Sequence, residues 1–410
     1  MEYGLIGKKL GHSFSKEIHE KIGKYNYQLI ELDENQFVEF MNNKNFKAIN
    51  VTIPYKEKVM EYLDYISDEA LKIKAVNTIV NKDGKLYGYN TDYLGLKEMI
   101  NHFNIDINNK NIMILGNGGT CKTATAVLND LNAKSIIKVS LNNEIDTISY
   151  EDIHLYSNSI DVLVNTTPKE MFPNNQASII TLDSFNNLKS VVDVVYNPLR
   201  TNLVVRALNN NLKATGGLYM LIAQAFYAIE IFLDVKLDNN IINSIYNEMI
   251  NKKENIVLIG MPSCGKSTVG KKLAQYLNKK FIDVDDKIIE KINMDIASYF
   301  KKYGETSFRE IESQVIEEIS KENSIVISTG GGSILKENNV RYLKQNGKLF
   351  FLDRDVENLL TSDDRPLSSS LNDLLKRYEE RYPIYNKVCD VKINGNLSVD
   401  KVINEIIGAK

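Results

Sequence analysis

The sequence predicts an α/β protein built on largely parallel sheets, and three observations support this fold class. Short apolar runs of strand length alternate with helical patterns through the first hundred residues. A strand, a glycine-rich turn and a helix follow one another from Asn111 to Leu131, and the same order returns from Asn255 to Leu277. Because this order places backbone N–H groups around phosphate, we expect two nucleotide sites.

The bulk composition fits an ordinary soluble chain of roughly two or three domains. The chain has 410 residues, of which 43% are apolar and 25% charged, and its net charge is −3. This balance gives no basis for a nucleic-acid or membrane surface. The three cysteines and four histidines show no ligand spacing, so neither disulfides nor zinc are expected. The N-terminus lacks a signal-peptide pattern, and we therefore expect a cytoplasmic protein.

The first 101 residues are predicted to form one α/β lobe. Its strand-like runs are Glu2–Ile6, Tyr27–Leu32, Ala48–Ile53 and Thr78–Val80. A long apolar segment at Gly217–Val235 is interrupted by Gln224, Glu230 and Asp234, whose spacing predicts a partly buried amphipathic helix rather than a membrane span. That helix and the next, up to about residue 250, are assigned to the same lobe.

Residues 102–216 are predicted to form a Rossmann-type dinucleotide-binding lobe. After the Asn111–Leu115 run come Gly116, Gly118 and Gly119, and further strands are expected at 135–139, 160–164 and 190–195. The glycine pattern is a weak signal by itself, because Cys121 stands where a third glycine or alanine is usual. The polar stretch 251–254 is predicted to be a linker, so that residues 1–252 form one domain and 255–410 another.

The segment GMPSCGKST has the spacing of a phosphate-binding loop, with Gly260, Gly265, Lys266 and Ser267 at its fixed positions. Glycines allow backbone N–H groups to wrap a triphosphate, the lysine reaches the outer phosphates, and the hydroxyl binds magnesium. A chance glycine turn is the alternative. The strand before the loop and the helix behind it favour nucleotide binding.

The residues after this loop indicate an anionic phosphate acceptor. Asp283 and Asp285 alternate by two and are predicted to share one side of an extended strand end, although a solvated acidic pair is the alternative. Arg309 and Glu312 lie three apart on a predicted helix, where an ion pair can fix the guanidinium. Arg365 and Arg381 follow, and three separated arginines around an acidic pair suit an anion.

In the first half, single residues have ordinary explanations. Ser13 and Ser15 in HSFS can be helix caps before a helix, or two hydroxyls that bind a polyol or carboxylate. Lys56 follows a proline turn, where a lysine is normally a solvated charge. Asn77 and Asp92 would by default be turn residues.

Taken together, eight motifs resemble the shikimate dehydrogenase family over Met1 to about Ile250: HSFS, NVTIPYK, AVNT, NTDYLG, GNGGTCKTA, NTTPKEMFP, DVVYNPLRT and GGLYMLIAQA. The resemblance implies reduction of 3-dehydroshikimate, with Lys56 and Asp92 as the catalytic pair. It implies a shikimate pocket lined by Ser13, Ser15, Thr52, Asn77, Asp92, Tyr196 and Gln224. It implies NADP(H) binding at Gly116, Gly118, Gly119, Asn165, Thr166 and Gly217.

One departure concerns the cofactor. Members that use NADP usually carry an arginine after the second strand of the dinucleotide lobe, where it clamps the 2′-phosphate. Here the region Val139–Asn143 contains neither arginine nor aspartate. Lys122, Lys134 or Lys138 can substitute, so NADP(H) is expected and NAD is left open.

From Asn255 to about Ile407 the chain resembles shikimate kinase. The resemblance implies ATP binding by Gly260, Gly265, Lys266, Ser267, Thr268 and the lid residue Arg365, with Mg²⁺ at Ser267 and Asp283. Asp285 would bind the acceptor hydroxyl and act as its base, so that Lys266 and Asp285 are the catalytic residues of this half. The shikimate site would comprise Asp285, Arg309, Gly331, Gly332 and Arg381.

The lid differs from the family pattern. Its segment from Leu359 to Arg365 contains two aspartates and lacks the arginine that usually precedes the last position. The leading hypothesis is a fused enzyme that reduces 3-dehydroshikimate with NADPH and then phosphorylates shikimate with ATP. One alternative keeps the kinase fold but changes the acceptor. Another treats one half as a shikimate-binding sensor without turnover. The oligomeric state is left open.

Overall fold

The computed structural model describes residues 2–10, 14–142, 144–173, 179–359 and 371–410, with side chains in the last range from Leu374 onward. The chain divides into two compact units, Met1–Glu248 and Met249–Lys410. The first unit contains two sheets and the second unit contains one.

The first sheet of the N-terminal unit is mixed, with the strand order β2-β1-β3-β5-β6-β4. Its strands are β1 Tyr3–Gly7, β2 Tyr27–Glu31, β3 Ala48–Val51, β4 Tyr65–Ile66, β5 Thr78–Lys82 and β6 Lys85–Tyr89. Its helices are α1 Phe14–Gly23, α2 Glu34–Asn43, α3 Asp68–Ile73 and α4 Thr91–His102. Strand β1 runs parallel to β2 and β3, whereas β5 is antiparallel to both β3 and β6.

The second sheet is parallel throughout the residues that the structure describes, in the order β12-β11-β10-β7-β8-β9. Its strands are β7 Asn111–Leu115, β8 Ser135–Val139, β9 Thr147–Ile148, β10 Val162–Asn165, β11 Ser190–Asp193 and β12 Lys213–Thr215. Helices α5 Gly119–Asp130, α6 Ile153–Tyr156 and α7 Asn202–Asn209 connect them, and α8 Leu218–Leu233 and α9 Asn240–Lys253 follow. The strand order reverses between β7 and β10, which opens a crevice at their carboxyl ends.

The C-terminal unit has a parallel sheet in the order β14-β15-β13-β16-β17. Its strands are β13 Asn255–Ile259, β14 Lys280–Asp283, β15 Ile325–Ser328, β16 Gly347–Asp353 and β17 Val391–Asn394. Its helices are α10 Lys266–Leu277, α11 Val284–Ile292, α12 Ile296–Ser320, α13 Glu337–Asn346, α14 Leu371–Val388 and α15 Val399–Gly408. Gly304 has φ +80°, which interrupts the helical backbone within α12.

The central strands form because continuous apolar runs are covered by helices on both faces. All five residues of β13 are buried, as are the last four of β7. The predicted helix at Gly217–Val235 is confirmed as α8, but its polar residues do not form an exposed face. Gln224 and Glu230 are 9% and 7% exposed, and the Glu230 carboxylate accepts hydrogen bonds from the Leu237 amide and Lys236.

Two local predictions were wrong. Residues 251–253 continue α9 instead of forming a linker, because they contain no helix breaker and two lysines favour the negative end of the helix dipole. Asp285 does not share a strand with Asp283. The strand ends at Asp283, whose side chain accepts a hydrogen bond from the Asp285 amide and caps α11. In the part of the chain that the structure describes, no helix is long and apolar enough to cross a membrane.

Candidate active sites

The topology of the first sheet brings the predicted substrate residues to one edge. Strands β1, β3 and β6 end at this edge, and the antiparallel β5 begins there. Ser15 therefore follows β1, Lys56 follows β3, Asn77 precedes β5 and Asp92 follows β6, all on the same side. Thr52 comes directly after β3, where its amide donates to the carbonyl of Ile6.

Lys56 and Asp92 form a direct ion pair at this edge. The Lys56 Nζ lies 2.6 Å from Asp92 Oδ2, and the two side chains are 23% and 18% exposed. Lys56 is held by its carbonyl, which accepts from the amide of Val76 at 2.8 Å. Asp92 lies in the first turn of α4, capped by the Asn90 side chain. An ammonium group held beside a carboxylate in a partly enclosed cleft can donate a proton to a developing alkoxide.

Asn77 is 3% exposed, and its contacts fix the orientation of its amide. Its Oδ1 accepts from the Thr91 amide at 2.7 Å and from the Thr78 hydroxyl at 3.0 Å. Because the oxygen is occupied in this way, the NH₂ group is the part of Asn77 that remains to donate to a ligand.

Below Asn77 lies a layer of buried hydrogen bonds that the sequence reasoning missed. The Tyr27 hydroxyl donates to Asn50 Oδ1 at 2.7 Å, and Asn50 Nδ2 donates to the Asn77 carbonyl and to Thr78 Oγ1 at 3.1 Å each. Tyr27 and Thr78 are fully buried and Asn50 is 5% exposed. The available signal was a polar residue, Asn50, inside an apolar strand run.

Three further predicted pocket residues come from helix α1, helix α8 and the loop after β11. Ser15 lies inside α1 rather than before it, and it is buried. The ring of its neighbour Phe14 is 5.6 Å from the ring of Tyr196, and burial raises the pKa of Tyr196. Gln224 packs against Gly95 of α4, where an added Cβ on the glycine would lie 2.9 Å from the Cβ of Gln224. Ser13 lies outside the described residues.

The glycines after β7 line the crevice where the strand order reverses. Gly116 has φ +106°, and a Cβ there would lie 2.9 Å from Thr166 Oγ1, which itself donates to the Leu115 carbonyl. A Cβ on Gly118 or Gly119 would meet no protein atom within 4 Å. The start of α5 therefore faces open space, with its first N–H groups available to an anion.

Asn165 ends β10 and Gly217 follows β12, both at the carboxyl edge of the parallel sheet. Asn165 is fully buried, donates to Asp193 at 2.9 Å and accepts from the Thr167 amide at 3.0 Å. Gly217 packs so closely on the backbone of Val194 that a side chain would overlap the Val194 carbonyl. Both residues thus pack against the end of β11, at Asp193 and Val194. Burial raises the pKa of Asp193 from 3.8 to about 7.

The second unit has its phosphate-binding loop between β13 and α10. Gly260 and Gly265 take φ +149° and +97°, which favour glycine. Lys266 is 6% exposed and donates to the carbonyls of Gly260 and Met261, both at 2.9 Å. Thr268 is exposed on the first turn of α10.

Arg309 is held by two glutamates of its own helix. The predicted pair with Glu312 is confirmed, with NH1 2.8 Å from a carboxylate that is 1% exposed, and Glu305 lies 3.1 Å away on the open side. Burial opposes the charge of Arg309, but these glutamates outweigh it and raise its pKa. Gly332 lies directly against the guanidinium, since a Cβ there would overlap Arg309 NH2 and would displace it.

Arg381 and Asp285 border the same glycine loop. Arg381 NH1 donates to the Gly331 carbonyl at 3.0 Å, and a Cβ on Gly330 would lie 3.0 Å from Asp285 Oδ1. Burial lowers the pKa of Arg381, and nearby Arg309 lowers it further. Two guanidinium groups close enough to repel one another favour an anionic ligand between them.

Tyr385 is a further residue that the sequence reasoning missed. Its hydroxyl lies 2.9 Å from the Gly260 carbonyl and 2.6 Å from the Gly331 carbonyl, so it joins the phosphate-binding loop to the glycine loop. A Cβ on Gly331 would also overlap Pro262. The only available signal was its spacing, one helical turn after Arg381.

Comparison with known proteins identifies the family of the first half of the chain. The chain is 41% identical over 265 residues to shikimate dehydrogenase (NADP(+)) of Clostridium perfringens (strain 13 / Type A), and this match covers 60% of the chain and 97% of the relative. The chain belongs to the shikimate dehydrogenase family. The family model of the shikimate dehydrogenase substrate binding domain matches residues 5–79, and the shikimate kinase model matches residues 262–409.

Solved structures agree with this assignment over the same part of the chain. Shikimate dehydrogenase 1 from Peptoclostridium difficile is 36% identical, with a TM-score of 0.56, and the match covers 61% of the chain and 98% of that structure. A chorismate mutase/shikimate 5-dehydrogenase fusion protein from Clostridium acetobutylicum is 37% identical, with a TM-score of 0.57, over 60% and 96%. The chain is thus a fusion of a shikimate dehydrogenase with a shikimate kinase domain.

In the dehydrogenase half, the three lysines considered for the cofactor phosphate occupy different positions. Lys134 precedes β8 and lies at the edge opposite the crevice. Lys122 is paired with Glu57 at 2.7 Å. Lys138 is half-buried within β8. Glu144 follows that strand and accepts a hydrogen bond from Asn117 of the glycine turn. Lys138 is therefore the remaining candidate.

In the kinase half, Ser267 and Asp283 fit a magnesium site. Ser267 Oγ lies 2.6 Å from Asp283 Oδ2 and 3.2 Å from Ser328 Oγ, so three oxygen-bearing side chains converge behind the loop. No cluster of three acidic, histidine or cysteine ligands occurs among the described residues. Such a site suits Mg²⁺, which takes most of its ligands from phosphate and water. The lid residue Arg365 lies outside the described residues.

Proposed function

We propose that the chain reduces 3-dehydroshikimate to shikimate in its first half and phosphorylates the new hydroxyl in its second. The observation that carries the proposal is the Lys56–Asp92 pair at the edge where the predicted polyol-binding side chains converge. The expected cosubstrates are NADPH and ATP, and the expected compartment is the cytoplasm.

In the reduction, bound NADPH would supply the hydride for the C3 carbonyl. The Lys56 ammonium donates a proton to the oxygen as negative charge develops there, and Asp92 keeps the ammonium in place. The Asn77 amide donates to the substrate, while Ser15 and Thr52 supply hydroxyl groups for the ring. Removing the lysine therefore affects turnover more than cofactor binding.

In the phosphorylation, Arg309 and Arg381 hold the shikimate carboxylate through charge-assisted hydrogen bonds. Asp285 accepts the proton of the attacking hydroxyl. Lys266 leaves the two loop carbonyls to which it donates and contacts the outer phosphates of ATP. Ser267 and Asp283 would hold Mg²⁺, which would neutralise charge on the phosphates.

A two-stage assay tests both activities in the full-length chain. NADPH loss is followed with 3-dehydroshikimate, and ADP release is followed after ATP is added. Lys56→Ala or Asp92→Asn should remove the first signal but retain ADP release when shikimate itself is supplied, and Lys266→Ala should remove only the second. If either half binds shikimate without turnover in the unmodified chain, that half is a sensor and the proposal fails for it.

The preference for NADPH rests on the dehydrogenase relatives and on Lys138 as the remaining cation. Steady-state kinetics with NADPH and NADH, at saturating 3-dehydroshikimate, measures this preference directly. A higher kcat/KM with NADH would exclude NADPH as the main cosubstrate, without affecting the assignment of the reaction.

A further inference from the structure

An arginine outside the family motifs lies at the phosphate-binding loop. Arg354 follows β16, which pairs in parallel with β13 so that Phe351 stands opposite Ile259. Because parallel strands end at the same edge, the residue after β16 lies beside the loop after β13. Arg354 is therefore at the nucleotide side of the sheet.

The side chain of Arg354 extends toward this loop. Its NH1 would lie 4.0 Å from a Cβ placed on Gly265, the residue that precedes α10. Its stem is packed at the other end, where a Cβ on Gly395 would lie 3.2 Å from the Arg354 Cβ. The guanidinium is thus next to the free N–H groups at the start of α10, which bind anions.

Arg354 has no partner for its charge among the described residues. Its Nε is buried without a hydrogen-bond acceptor, and it forms no ion pair there. The preceding Asp353 is already paired with Lys392 at 2.9 Å. A partly buried guanidinium without an acceptor is costly, and an anion at the loop would supply the missing acceptor.

Arg341 shows that a buried Nε without an acceptor is not enough by itself. It also has such an Nε, but it lies on α13, with its guanidinium 5.6 Å from the ring of its neighbour Tyr342. What distinguishes Arg354 is that its NH1 lies 4.0 Å from the position that a Cβ on Gly265 would take. Arg341 is accordingly a control of the same residue type.

We propose that Arg354 binds the polyphosphate of the nucleotide, as an additional cation beside Lys266. This inference rests on the proposed kinase function and goes beyond it, since Arg354 is not among the residues that the resemblance to shikimate kinase implies. The chemical class recognised is an adenosine di- or triphosphate, through charge-assisted hydrogen bonds to phosphate oxygens.

The test compares Arg354→Gln with Arg341→Gln in the full-length chain, using equilibrium binding of ATP, ADP and adenosine. Loss of a hydrogen bond to a charged group predicts about 10- to 100-fold weaker ATP and ADP binding for Arg354→Gln. Adenosine binding and the KM for shikimate should stay within about twofold, and Arg341→Gln should bind ATP normally. Arg354→Lys should recover part of the loss.

Unchanged ATP affinity in Arg354→Gln would overturn the inference. An equal loss for adenosine would also overturn it, because the contact would then be to the base. A thermal unfolding curve matching that of Arg341→Gln shows that the variant is folded. If the unmodified chain does not phosphorylate shikimate, the proposed function fails, whereas ATP binding still reports on Arg354.

Discussion

The two glutamates that hold Arg309 differ in burial, and this difference gives a sharp prediction. Glu312 is 1% exposed, lies 2.8 Å from the guanidinium and also accepts from Ser333 at 2.6 Å. Glu305 contacts the same arginine at 3.1 Å but is 62% exposed. Glu312→Gln should therefore impair shikimate phosphorylation far more than Glu305→Gln.

The magnitudes follow from where each carboxylate lies. Replacing Glu312 by glutamine removes the negative charge that is the buried partner of the guanidinium, which costs about 2 to 4 kcal/mol. In kcat/KM for shikimate this is a factor of about 30 to 1000. An exposed pair contributes about 0 to 1 kcal/mol, so Glu305→Gln should lower kcat/KM by at most about fivefold.

The assay is ADP release at varied shikimate and saturating ATP, with the NADPH-dependent reaction of the same sample as a control for the amount of protein and a thermal unfolding curve as a control for folding. That reaction should be unchanged in both variants. Equal losses for the two substitutions, or a loss below fivefold for Glu312→Gln, would refute the view that a buried carboxylate orients Arg309.

Four other substitutions test separate parts of the account. Tyr27→Phe leaves an acceptor of Asn50 unpaired beneath Asn77 and should lower kcat of the reduction about 3- to 30-fold, with NADPH affinity unchanged. Ser263→Gly should raise thermal stability by about 1 kcal/mol, since Ser263 has φ +67°. The pKa of Asp193 is raised by burial from 3.8 to about 7, so its contribution to stability is present below pH 4 and is lost as pH rises to about 7. Asp193→Asn should remove this pH dependence of the free energy of unfolding, which amounts to at most about 4 kcal/mol between about pH 4 and 7. Glu144→Arg replaces a carboxylate near the glycine turn with a cation and should raise kcat/KM for NADPH relative to NADH, measured by steady-state kinetics.

Much of the fold could be predicted because its central strands are continuous apolar runs next to glycine turns. The predicted runs at 111–115, 135–139 and 255–259 coincide with β7, β8 and β13. Strand β6, Lys85–Tyr89, was not predicted, since its residues do not form a continuous apolar run. Sheet order depends on contacts between distant segments, which local patterns do not contain.

The sites were predictable where a residue type has a local chemical meaning, as at Lys266 or in the Arg309–Glu312 pair. Asn50 hydrogen-bonds to Asn77, which is 27 positions away in the sequence. Tyr385 hydrogen-bonds to Gly260, which is 125 positions away. No spacing in the sequence reveals such contacts. We predicted Asp285 on a strand because Asp283 and Asp285 are two positions apart in the sequence. The sequence does not show that the Asp283 side chain accepts a hydrogen bond from the Asp285 amide and caps a helix.

The central claim is that the hydroxyl formed in the first half is the one phosphorylated in the second. Incubating the full-length chain with 3-dehydroshikimate, ATP, Mg²⁺ and NADPH deuterated at the transferred position tests this in one sample. The account predicts a phosphorylated product that carries deuterium on the same carbon as the phosphate, as read by mass spectrometry and NMR. A deuterated shikimate without phosphate, or a phosphate on a different carbon, would contradict it.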